Sequence, residues 1–222
     1  MIKSDRPRAH LGRPKDAEKR AAILRVARGM FFGRGLEAVT IEEVAAAAGV
    51  SRMTVYGHFG GKEALFSAVI TQEADKLVRS LSGLSTRRDA AEAQCCASLR
   101  GDLIRFGTEL LVFFARPEVK AFHRLLQVEG PRYPKLVKAF INLGPRAVVH
   151  RLSERLQGAT SAGAIAVGDP IRAAQLLIGL LRSIETASYA LGLSPSPSRT
   201  QIEDHVGECV DLFLRAYAAA PD

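Results

Sequence analysis

No stretch of the sequence approaches the run of about 18 uninterrupted apolar residues that a bilayer span needs, so no membrane-crossing helix is expected. The basic opening MIKSDRPRAHLGRPK leads into no apolar segment, so a secretory signal is not expected either. Cysteine is scarce: Cys95, Cys96 and Cys209 make an odd count with two adjacent, which is no disulfide framework. Free thiols in a reducing cytoplasm fit that usage. CxxC and HExxH spacings are missing, and His123, His150 and His205 lie apart, so no metal site is expected. No GxSxG or GxGxxG follows a strand-like segment. Gly60-Gly61-Lys62 hints at a phosphate loop, but Tyr56 stands where its first glycine belongs and Glu63 replaces the Ser/Thr. With no catalytic constellation and no cofactor loop, the chain does not read as an enzyme, and no cofactor is expected. Alternating β-branched runs are also absent, which leaves no basis for a sheet.

What the chain does have is apolar residues at helical spacing and positive charge at one end. Hydrophobic residues make up 47%, enough for a sizeable core. Residues 1–62 hold 12 Lys/Arg against 6 Asp/Glu, whereas residues 63–222 hold 19 against 17. A basic end on a nearly neutral body points to a polyanion, with nucleic acid the first candidate and an anionic membrane surface the second.

Residues 1–15 read as a flexible basic arm. A first helix starts at Asp16, with Ile23, Ala27, Met30 and Phe31 on one apolar stripe, and Gly33 and Gly35 end it. Thr40-Ile41-Glu42-Glu43 is a capping box that opens a second helix ending at Gly49. Ser51 caps a third helix, which runs to His58 or Phe59 before Gly60-Gly61. Further helices are expected at 62–80, 89–115, 117–128 and 132–157, the last with a kink or break at Gly144-Pro145. Gly158–Gly168 reads as a loop. Asp169-Pro170 opens an eighth helix to Leu191, and residues 199–219 form the ninth. The fold class is therefore all-α, with about nine helices. Residues 16–62 form a three-helix reader, and residues 63–222 a larger helical domain.

Thr40–Ala48, Gly49-Val50 and Ser51–Phe59 have the form of a helix-turn-helix, whose second helix enters the DNA major groove. Val55 and Phe59, four residues apart, are expected to face the core. Ser51, Arg52, Thr54, Tyr56 and His58 are then left to project outward. Arg52 is long enough to reach guanine or phosphate. Thr54 suits a thymine methyl or a phosphate, and Tyr56 and His58 suit phosphate oxygens. Gly57 permits close approach of the backbone.

The run from Thr40 through Ser51, followed by Thr54-Val55-Tyr56-Gly57-His58-Phe59 and Lys62-Glu63-Ala64-Leu65, resembles the DNA-binding signature of the TetR family of transcription regulators. The resemblance covers about residues 18–66. It implies an all-helical, Ω-shaped homodimer bound to double-stranded DNA. It implies phosphate contacts at Thr40, Tyr56, His58 and Lys62, and base contacts near Arg52, Met53, Thr54 and Gly57. It also implies a basic arm in the minor groove, for which Arg13 within Gly12-Arg13-Pro14-Lys15 is suited. Gly57 stands where many members carry a large side chain, so fewer direct contacts are expected there.

The C-terminal domain resembles that of AefR-like repressors in Phe122-His123-Arg124-Leu125-Leu126, Glu129–Pro134, Gly144-Pro145 and Asp169-Pro170. This resemblance implies a pocket for a lipophilic or aromatic effector and control of an efflux or detoxification gene. Phe106, Leu110 and Phe113 on the fifth helix, with Phe122 and Leu126 on the sixth, are the candidate lining, against the plainer reading that they are core. Helices eight and nine are the candidate dimer interface, through Leu177, Leu181, Val210, Phe213, Leu214 and Tyr217, because a terminal helix apolar on two faces must bury both. The reading is thus a ligand-responsive repressor acting in the cytoplasm. An architectural DNA binder without an effector is the alternative, and a footprint separates the two.

Overall fold

A computed structural model describes residues 14–81, 96–182 and 197–219. Those residues form ten helices and no strand. They are α1 (Pro14–Arg34), α2 (Ile41–Ala48), α3 (Arg52–Phe59), α4 (Lys62–Ser80), α5 (Cys96–Ala115), α6 (Pro117–Glu129), α7 (Pro134–Leu143), α8 (Pro145–Ser161), α9 (Pro170–Leu181) and α10 (Arg199–Ala216).

Helix starts follow local chemistry. Proline occupies the first position of α6, α7, α8 and α9, where its missing N–H and fixed φ cost nothing. The single helix expected over 132–157 is therefore two, because Pro145 cannot donate to the preceding turn. The loop expected from Gly158 begins later, since α8 continues to Ser161. Residues 89–95 of the expected fifth helix and 183–191 of the eighth lie outside the described residues. Capping boxes fix two further starts: Thr40 with Glu43 on α2, and Ser198 with Gln201 on α10.

The chain packs as two units, Met1–Val69 and Ile70–Asp222. The division falls inside α4, which also runs across the boundary expected between residues 62 and 63. In the first unit, Ile23, Leu24, Ala27 and Phe31 of α1 are buried with Val44, Val55, Leu65 and Phe66. Phe31 meets Phe66 edge to face at 5.4 Å. Each such ring removed from water is worth about 1.5–3 kcal/mol, which suits a three-helix unit with a small core.

The second unit is built on α5, which packs against α10, α6 and α9. Its core includes Leu99, Leu103, Phe106 and Leu110 of α5, Leu152 and Leu156 of α8, Leu177 and Leu181 of α9, and Val206, Val210 and Phe213 of α10. Gly107 lets three helices meet, because a Cβ there would lie 2.7 Å from Val206 and 3.2 Å from Leu181. A buried ion pair crosses the unit. Asp102 of α5 receives Arg155 of α8 at 3.0 Å and is also bonded by Arg105.

Candidate nucleic-acid interface and an aromatic cavity

The recognition helix α3 is positioned by its two ends. Gly49 closes α2 in the left-handed region, at φ 66°, where a side chain would be strained. Ser51 then caps α3, its Oγ accepting from the Thr54 amide at 3.1 Å. Val55 is the buried side chain of α3, so the expected inward face holds there, while Phe59 is only half-buried under Arg20, whose guanidinium sits 5.2 Å above the ring.

The opposite face carries the groups expected to read DNA. Ser51, Arg52, Tyr56 and Gly57 are exposed, and Met53 is 71% exposed. Thr54 is half-buried and shares a hydrogen bond with Ser51 at 2.9 Å, so the two hydroxyls act as one group. At Gly57 an added Cβ would meet nothing within 4 Å. Its missing side chain therefore serves no packing inside the unit.

Three expected phosphate ligands already have partners within the protein. His58 does not project outward: its side chain is 13% exposed, and Nε2 lies 3.3 Å from the Asp16 carboxylate on α1. Thr40 is committed to its cap, accepting from the Glu43 amide at 3.2 Å and lying 3.1 Å from Glu43 Oε2. A phosphate at Thr40 would compete with that cap. The Thr40 amide, bonded at 2.8 Å, and Arg34 hold the Glu43 carboxyl below its ordinary range. Lys62 donates to the Glu37 carbonyl at 3.3 Å, which leaves ammonium protons for a second partner. Arg13 lies outside the described residues, and Pro14 and Lys15 already belong to α1.

The second unit contains a cavity of about 510 Å³ walled by α4 through α9. Leu110, Phe113, Phe122 and Leu126 line it, whereas Phe106 sits in the core away from it. Single-helix spacing missed the groups that other helices bring: Glu73 and Leu77 of α4, Phe140 of α7, and Arg182 at the end of α9. Phe114 and His123 adjoin expected lining residues, and that adjacency was the available signal. The rings form a continuous chain. Phe140 meets Phe122 at 5.1 Å, Phe122 meets His123 at 6.0 Å, His123 meets Phe114 at 5.4 Å, and Phe114 meets Phe113 at 5.8 Å. Burial, and then the charge of Arg182, push the His123 imidazole below its ordinary value, which favours the neutral ring.

The expected dimer residues divide. Leu177, Leu181, Val210 and Phe213 are buried in their own unit, Phe213 to 2% exposure, and cannot meet a partner. Leu214 and Tyr217 are half-buried against the same core. The exposed apolar side chains of these helices are Ile171, Leu176 and Leu180 on α9 and Leu212 on α10. The two helices do carry apolar residues on two faces, but four of the six residues expected at a partner serve the core instead.

Residues 23–69 match the family model described as bacterial regulatory proteins of the tetR family. Residues 101–219, more than half of the chain, match the C-terminal domain of AefR-like transcriptional repressors. A putative TetR-family transcriptional regulator from Mesorhizobium loti superposes with a TM-score of 0.79 at 27% identity, covering 93% of this chain and 100% of its own. The flavonoid-responsive regulator FrrA superposes with a TM-score of 0.78 at 30% identity, covering 92% of this chain and 100% of its own. The HTH-type transcriptional activator FasR of Mycolicibacterium smegmatis is 40% identical over 65 residues. That match spans 29% of this chain and 29% of FasR's length.

Proposed function

The chain belongs to the TetR family of bacterial transcriptional regulators, and from that premise we propose that it represses transcription as a homodimer on a near-palindromic operator and is released by an aromatic effector. The observation that carries this reading is α4. Only Gly60-Gly61 separates the recognition helix from α4, and the second half of α4 contributes Glu73 and Leu77 to the cavity wall. A ligand that displaces those two residues acts on the helix that follows the reader directly.

On the DNA side, Arg52, Met53 and Gly57 meet base edges, while Ser51, Thr54 and Tyr56 meet backbone oxygens. Lys62 adds a phosphate contact, and His58 joins only by exchanging its Asp16 partner for phosphate. On the effector side, a chain of five rings suits an aromatic compound, and the similar regulator FrrA is flavonoid-responsive. The regulated gene exports or degrades the same compound, and the protein works in the cytoplasm beside its DNA.

Two states that a ligand distinguishes are required for release. A coupling of about 1–3 kcal/mol lowers operator affinity by roughly 5–150-fold. The operator is obtained by selecting bound duplexes from a random pool and footprinting them. Aromatic compounds that raise the melting temperature are then added to the operator-binding assay. Loss of operator affinity in that range supports the reading. Tight binders of the cavity that leave operator affinity unchanged refute it, and a footprint that coats DNA without a short protected site favours an architectural role.

A further inference from the structure

The cavity's charges point to one class of ligand. Three basic side chains line it, Lys120, Arg124 and Arg182, against one acid, Glu73. Glu73 is buried and already paired with Lys76 at 2.6 Å. Arg124 and Arg182 are exposed lining residues, which puts them at the mouth, and no carboxylate among the described residues forms an ion pair with either. The phenylalanines of the wall are buried or half-buried.

We propose that the effector is an aromatic acid whose rings lie among the buried phenylalanines and whose anionic group meets Arg124 and Arg182. This rests on the effector reading above and narrows it. A cationic aromatic is the obvious rival, because ring-lined pockets also bind cations. Here two of the rings already carry a cation: Arg182 sits 5.6 Å over Phe114, and Arg116 sits 5.5 Å over Phe113. A cationic ligand would add positive charge to that set. A neutral aromatic gains the ring contacts but leaves the guanidinium donors of the mouth to water. The dipole at the C-terminus of α9 offsets part of the Arg182 charge and none of that on Arg124. Burial lowers the His123 pKa and so favours its neutral ring, a hydrogen-bonding group beside the phenylalanines.

Two dyes with one ring skeleton test the proposal: 1-anilinonaphthalene-8-sulfonate carries an anionic group, and N-phenyl-1-naphthylamine lacks it. Both are titrated by fluorescence into the full-length protein and into Arg124→Gln, Arg182→Gln and the double variant. Val149→Trp and Ile178→Trp, each filling the cavity from its wall, show which signal comes from inside it, and whichever melts like the wild type is used. The expected result is that the affinity ratio of sulfonate to neutral dye falls about ten-fold or more in the double variant, as loss of a charge-assisted contact predicts. The neutral dye stays within about two-fold, and the tryptophan removes the cavity signal of both. An unchanged ratio overturns the proposal, as does a cavity that takes only the neutral dye. Either outcome leaves effector control standing. Failure of effector control reads differently: the sulfonate enters the cavity and operator affinity does not move.

Discussion

Lys62 and Arg52 carry the same charge but serve different purposes in the proposed complex. Lys62 stands at the first turn of α4, tied to the Glu37 carbonyl, and is proposed to meet backbone phosphate. Arg52 is exposed at the first position of α3, where a recognition helix reaches base edges. Lys62→Ala should weaken operator and random DNA about equally and lower the salt slope by about one unit. Arg52→Ala should cost about 1–3 kcal/mol on the operator and relax preference at one base pair. Salt-titrated binding to both duplexes checks this, and equal losses for the two variants on both duplexes contradict the assignment. Gly57 gives a sharper test, because fold and function should respond with opposite sign. Its Cβ position is empty, so Gly57→Ala should stabilise α3 by about 0.5–1 kcal/mol in a urea melt. The same methyl group should weaken operator binding, if the backbone approaches DNA there. Unchanged operator affinity would show that Gly57 is not at the interface.

At the scale of elements, α5 is tied to α8 by charge and to α9 and α10 by close packing. Arg155→Ala would take from buried Asp102 the guanidinium that is itself buried, while the Arg105 contact, half exposed, remains. Breaking a buried pair in this way costs about 3–5 kcal/mol, and the remaining Arg105 contact puts the expected loss at the lower end. Urea unfolding of the variant measures it, and a loss below about 1 kcal/mol would mean that Asp102 does not depend on Arg155. Helices α9 and α10 supply a second contrast. Phe213 faces the core and Leu212, at 51% exposure, faces away. Leu212→Arg should therefore yield folded monomers, whereas Phe213→Arg should lose the fold. Light scattering with far-UV circular dichroism separates the cases. A dimeric, folded Leu212→Arg protein would move the interface elsewhere, with Leu176 and Leu180 on α9 the next positions to charge.

For the whole molecule, two-fold symmetry makes a spacing prediction. Two recognition helices in one dimer meet successive major grooves about 34 Å apart, or somewhat more, on one face of the duplex. Inserting about five base pairs between the operator half-sites turns them to opposite faces and should abolish dimer binding, while about ten base pairs should restore the face but not the distance. Gel-shift titration of the three duplexes checks this. Equal affinity for all three would mean that the half-sites are read independently, and the homodimer reading would fail.

The start and stop of most helices were legible in the sequence because the signals act within a few residues. Thr40 and Glu43 cap one turn, Pro117 and Pro170 each begin a helix, and Gly49 ends one. The helix-turn-helix was legible for the same reason: its spacing is local, and Val55 marks its inward face. Tertiary structure decided what depends on residues far apart in the chain. It turned His58 onto Asp16. It put Leu177, Leu181 and Phe213 inward and Leu176, Leu180 and Leu212 outward. Two apolar faces of one helix are equivalent in sequence until α5 fills one of them. The cavity belongs to the same class. Phe113 and Phe122 face it and Phe106 does not, because α4, α7 and α9 close around the first two and the packed core closes around the third.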